Sequence, residues 1–227
     1  MASWFRNAAE PRESRLKRLL ADYPPYRIPH RGPGRRLTLA EAEENLAYLL
    51  DHKEERLAIV SALLTRFDLD AAAGLAADDL RPFLDGLWRW SCAEWPAVYD
   101  PAFVPIDAWL NSSREGPEII FSMLMDVGIL LGELVLVRRS DYRWALDLDQ
   151  QNAADEMVSW QRPVLLRPAD HFVPVIFFDF EDTARTSYIR CTSTPYRILN
   201  DLGREVLDAI SGAHEVAWRE QSKGPST

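Results

Sequence analysis

Residues 119–137 read IIFSMLMDVGILLGELVLV and residues 144–149 read WALDLD, and the change of period between them decides the fold. The first stretch is apolar nearly all round and free of proline, as expected of a helix buried on most sides. The second alternates apolar and acidic residues at period two, the pattern of a half-buried strand with Asp147 and Asp149 turned outward. A central buried helix feeding a small sheet is therefore expected. The first stretch is also about long enough to cross a bilayer, and Gly128 and Gly132 supply a GxxxG spacing. Asp126 and Glu133 argue against that use, because each would cost about 2.5–3.5 kcal/mol near mid-membrane. The glycines are better suited to close helix packing.

Toward the N-terminus the pattern is helical. Thr38-x-x-Glu41 is a capping box, in which the hydroxyl caps an early amide and Glu41 reaches back to the cap residue. Leu39, Ala42, Leu46, Leu49 and Leu50 follow it at helical spacing. After Asp51-His52 a second helix carries Leu57, Val60, Leu63, Leu64 and Phe67, and the two segments can equally form one bent helix. A further helix opens near Asp78 or Asp79, with Pro82 in its first turn and Leu80, Phe83, Leu84, Leu87, Trp88 and Trp95 on its apolar side. Trp90 is displaced from that side, which makes it a candidate interface residue. Before all of these, Pro11 to Asp22 forms an amphipathic helix, and residues 24–36 form a Pro-rich connector wrapping the body.

Toward the C-terminus, residues 160–167 and 172–180 read as two more strands, with Pro163 and Pro174 suited to edges or strand starts. A closing helix begins near Thr194-Pro195, runs through Ile198 to Ile210, and is capped by Gly212. Segregated helices and strands imply an α+β fold. It has a mostly helical N-terminal two-thirds, a small antiparallel sheet of three to four strands and a closing helix. The expected organisation is a basic arm over residues 1–36, one globular domain over residues 37–220 and a frayed tail over residues 221–227.

Charge divides along the same line. The chain of 227 residues has a net charge of −9, yet residues 1–36 carry nine basic and three acidic side chains, a net of +6. The remainder carries 17 basic and 32 acidic side chains, a net of −15. An acidic body excludes nucleic acid as the main ligand, since phosphate contacts need a basic surface. It favours a basic protein partner, and the arm is expected to lie on the chain's own acidic body. A hydrophobic share of 47% with 11% aromatics excludes a wholly disordered chain. Residues 1–7 lack the apolar run of a signal peptide, and the two cysteines are remote from each other in sequence, so a reducing, cytoplasmic setting is expected.

Catalytic motifs are missing. The sequence has no GxSxG elbow, SxxK or phosphate-binding glycine loop. Its four histidines lie at no metal-ligand spacing, so neither a metal nor a cofactor is expected. His171, beside Asp170, is the one histidine with a neighbouring acid to orient it. Asp126 and Glu133, seven residues apart on one helix face, are the catalytic alternative: two carboxylates in one pocket can serve as acid and base or bind a metal. The other reading of that face is a contact with water or with Arg138, Arg139 and Arg143. Asp179, Glu181 and Asp182 form an acidic turn at the end of a strand.

The stretch Met125-Asp126-Val127-Gly128-Ile129-Leu130-Leu131-Gly132-Glu133-Leu134, with Tyr142-Arg143-Trp144-Ala145-Leu146 after it, resembles small bacterial immunity-type and uncharacterised α+β proteins. In those, a helix ending in Gly-Glu runs into a Trp-bearing strand. The resemblance implies a protein that neutralises a cognate toxin by binding it, without catalysis. Trp90, Asp147, Asp149, Asp179, Glu181 and Asp182 are the expected binding residues, facing a basic toxin such as a nuclease. The alternatives are a metal-dependent hydrolase built on Asp126 and Glu133, and a structural homodimer.

Overall fold

A computed structural model describes residues 14–171, 173–192 and 200–221. The helical part comprises α1 (Arg15–Ala21), α2 (Leu39–Thr65), α3 (Ala71–Ala76), α4 (Arg81–Glu94), α5 (Ile106–Leu110) and α6 (Ile120–Leu136). Then come β1 (Arg143–Leu146), α7 (Gln150–Ala154), β2 (Pro163–Arg167), β3 (Ile176–Phe178), α8 (Phe180–Arg190), α9 (Asp201–Ser211) and α10 (Ala213–Gln221). The α+β class and the three-stranded antiparallel sheet are as expected, with β2 in the middle. Pro163 opens β2, where its missing N–H costs no interior ladder bond.

α6 is the axis of the molecule. Every residue from Ile120 to Val135 is buried, and α2, α8 and α9 pack around it. Its two glycines mark the closest approaches. A Cβ on Gly128 would lie 2.9 Å from the Glu181 amide nitrogen, and one on Gly132 would lie 2.2 Å from the Trp144 ring. Gly128 thus lets the first turn of α8 rest on the α6 backbone, while Gly132 receives an indole instead of a helix.

α2 is one helix of 27 residues, opened by the Thr38–Glu41 capping box. Nothing at Asp51-His52 stops it: the His52 ring stacks on Tyr48 at 4.0 Å, and its Nδ1 lies 2.9 Å from the Tyr48 carbonyl oxygen. The N-terminal segment is tied to the core. Leu16, Leu20, Tyr23 and Tyr26 are buried, and the Tyr26 amide donates to Ser122 Oγ at 2.8 Å. Arg27 pairs with Glu115 at 2.9 Å, so part of its charge does lie on the acidic body.

Several expectations are corrected. Trp90 is 5% exposed and packs between Phe67 and Trp95, because it lies three residues after Leu87 on the buried stripe of α4. It is core. The alternation of residues 144–149 breaks at Asp147, which is 1% exposed. That carboxylate accepts from Ser159 Oγ at 2.6 Å, from the Asn152 amide group and from the Asp149 N–H, so it braces the following loop. Asp149 is exposed and caps α7. Asp179, Glu181 and Asp182 do not form a solvated turn; they begin α8, with Asp179 as its N-cap. The start proposed at Thr194-Pro195 lies outside the described residues, and Gly212 ends α9 in a left-handed conformation (φ 71°) as expected.

Filling the contact between α6 and α8 tests this packing. Gly128→Val drives branched carbons into backbone that cannot move aside, and is expected to cost roughly 1–3 kcal/mol of stability, as overpacking typically does. Urea denaturation measures it, and a wild-type midpoint would contradict the close approach.

Candidate functional site

The corner where β3 turns into α8 is built on buried charge. Arg162, one residue before β2, is 7% exposed and forks between two carboxylates. Its Nη1 lies 2.6 Å from Asp179 Oδ2 and its Nη2 lies 2.8 Å from Glu181 Oε2. Glu181 is also held by Arg114 Nη2 at 2.6 Å and by Trp109 Nε1 at 2.8 Å. The Arg162 guanidinium stacks on the Trp109 ring at 4.2 Å, and Arg185 lies over the same ring at 4.9 Å. Arg114 and Arg162 against Asp179 and Glu181 make the inner cluster neutral and pair each buried charge, whereas Nε of the adjacent Arg185 is buried with no hydrogen-bond partner among the described residues.

The two acids respond differently. Burial raises a carboxyl, but Arg114, Arg162 and the Trp109 hydrogen bond outweigh it and hold Glu181 below its ordinary value. Asp179 has one guanidinium partner and two acidic neighbours, Asp182 and Glu181. Burial therefore prevails over Arg162 and pushes it up to about 6.

Above this cluster lies a groove of about 460 Å³. One wall is the loop from Glu156 to Ser159; the other is β3, the start of α8, and Glu205 of α9. Its lining holds the carboxylates of Glu156, Asp179, Asp182 and Glu205, with no lysine or arginine among the described residues. A second groove of about 510 Å³ lies across the same Glu156–Val158 loop, with Ile106 and Leu110 among its apolar lining. Met157 lines both, and it and Ile106 are nearly half exposed. Glu156 itself has φ 53°, which a non-glycine residue rarely adopts. The structure thus presents an acidic groove and an apolar groove back to back.

Asp126 and Glu133 are elsewhere and apart in role. Asp126 is fully buried and accepts from Arg56 Nε at 2.8 Å, Arg56 Nη2 at 2.6 Å and the Tyr23 hydroxyl at 2.6 Å. Burial still pushes its carboxyl up to about 6 against those partners. Glu133 pairs with Lys53 Nζ at 3.2 Å and accepts from Trp144 Nε1 at 2.8 Å. Both face α2, where Lys53 and Arg56 are three residues apart, and neither meets Arg138, Arg139 or Arg143. Neither carboxylate lines either groove. They are structural partners of α2 and do not share a catalytic pocket. Asp170, beside His171, is occupied by Arg167 at 2.6 Å and by the Val173 amide.

The structure therefore brings together Asp179, Glu181 and Asp182. It places Asp147 behind the groove wall through Ser159 and leaves Trp90 in the helical core. Sequence reasoning missed Arg114, Trp109, Arg162, Glu156, Met157 and Glu205. The buried arginines leave no local signature, because their acidic partners are distant in sequence. No family model, characterised protein or solved structure matches the chain.

Removing the fork tests the cluster. Arg162→Ala leaves Asp179 without its guanidinium and Glu181 with Arg114 and the Trp109 indole. It is expected to lose about 3–5 kcal/mol, the usual cost of breaking a buried pair from one side. Chemical denaturation at pH 7 measures it, and a loss below about 1 kcal/mol would mean the pair behaves like an exposed one.

Proposed function

We propose that this chain is a protein-binding module whose ligand is a basic protein, received in the acidic groove between the Glu156–Ser159 loop and the β3–α8 corner. One observation carries the reading: among the described residues four carboxylates line that groove without a lysine or arginine, next to half-exposed Met157. Carboxylates on a groove rim raise the encounter rate with a positively charged partner, and a neighbouring apolar side chain that becomes buried slows its release. Each of the four carboxylates also meets an arginine outside the described lining: Asp179 meets Arg162 at 2.6 Å, Asp182 meets Arg185 at 3.2 Å, Glu205 meets Arg204 at 3.4 Å and Glu156 meets Arg35 at 3.9 Å. Arg35 and Arg204 are exposed, and such surface pairs are weak enough to be exchanged for a partner's basic side chains.

The immunity-type resemblance extends this reading to a protein that occludes a basic toxin such as a nuclease, acting in the cytoplasm. Occlusion needs no reacting group; among the described residues the groove's histidine, His214, packs edge-on against Phe178 at 5.4 Å.

Affinity capture with the tagged chain, at about 0.05 M and about 0.5 M salt, exploits the shortening of the screening length over that range. A basic protein held at low salt, released at high salt and lost by the Glu156→Lys/Glu205→Lys variant is the expected result. A partner retained equally by that variant would contradict the groove as the binding site.

A further inference from the structure

The acidic groove follows a sheet edge. β3 has β2 as its one neighbour in the sheet, and among the described residues no other backbone hydrogen bond reaches residues 175–178. Successive side chains of a strand point to opposite faces. The groove nevertheless touches Ile176, Phe177 and Phe178 in succession, so it runs along the edge of the strand and not over one face. Two of the usual protections of an edge are missing from these three residues, since none is charged and the nearest proline, Pro174, precedes them; the shortness of the strand is the protection that is present.

We propose that the outer edge of β3 is the docking line of the groove, taking an extended, lysine- or arginine-bearing segment of the partner protein as a fourth strand. This rests on the protein-binding reading above and names how the partner is held. Main-chain hydrogen bonds to β3 supply the register, as in other cases of strand addition. Glu156, Asp182 and Glu205 along the walls, which now face Arg35, Arg185 and Arg204, read the basic side chains by exchanging those partners for them. A second copy of this chain fits the same edge poorly, because antiparallel edge pairing would bring the same carboxylates against each other, and like charges across a strand pair are destabilising. A strand of three residues offers few hydrogen bonds, so the charge contacts carry much of the affinity and the complex is salt-sensitive.

The probe is an eight-residue peptide alternating lysine and valine, titrated into the full chain and followed by backbone amide shifts and amide exchange. Slowed exchange confined to residues 175–178 is expected. Methylating alternate peptide nitrogens keeps every charge but removes strand pairing, and is expected to weaken binding about tenfold or more, the equivalent of one or two net hydrogen bonds. Glu205→Lys is expected to weaken binding and flatten its salt dependence. Equal binding of the methylated peptide, or protection mapping elsewhere, would overturn the edge proposal while leaving the charge-dependent capture of a basic protein intact. Protection of residues 175–178 in the free chain that grows with its own concentration would assign the edge to a second copy and also overturn it. Loss of charge dependence in the capture experiment would sink the binding reading itself.

Discussion

The fork of Arg162 between Asp179 and Glu181 is the constraint on which the rest of the site depends. It joins the chain just before the central strand to the first turn of α8, inside the protein, where an unpaired charge would cost several kcal/mol. Once made, it sets where β3 ends and where α8 begins. Glu181 then recruits Arg114 and the Trp109 indole, which fastens the loop before α6 to the same point. Gly128 is the complement of this arrangement on α6: with no Cβ there, the amide of Glu181 can lie against the central helix.

A second buried pair repeats the logic at the other side of α6. Arg56 of α2 binds both Asp126 carboxylate oxygens through two nitrogens and also donates to the carbonyl of Pro24 at 2.8 Å, while the Tyr23 hydroxyl donates to Asp126 Oδ2 as well. The N-terminal segment is in this way stitched to the core by polar contacts as well as by Leu16 and Leu20. Both pairs spend their arginines internally. At the groove, carboxylates paired with arginines outside its described lining lie beside apolar side chains and a strand edge.

Much of the architecture was legible in the sequence. The unbroken apolar run of α6, the Thr38 capping box, the alternation at Trp144 to Leu146 and Gly212 each report a local physical requirement, so each could be read locally. α8 was not legible. Its buried positions are Phe180, Glu181, Ala184, Arg185, Ser187 and Tyr188, half of them polar, so no apolar stripe exists to be seen. Its polar face is buried only because Arg162 and Arg114 are there to meet it, and they come from loops distant in sequence. The same reasoning explains Asp147, an acid that looks outward by alternation and turns inward to brace a loop. Trp90 failed for a simpler reason: the stripe through Leu80, Leu84, Leu87 and Trp95 was right, but it was filled in with half-buried Trp88 in place of Trp90. Asp126 and Glu133 were rightly placed on one face, but the partners of that face, Lys53 and Arg56, lie some seventy or more residues upstream.

A rigid corner carrying an open edge is the physical core of the account. Native-state amide exchange examines it directly, since it reports the opening free energy residue by residue. The amides of Asp182 and Thr183, in the first turn of α8, are predicted to exchange only through global unfolding, while the outward-facing amides of residues 176–178 exchange fast. Low-energy local opening of that first turn, or full protection along β3 in the isolated chain, would contradict it.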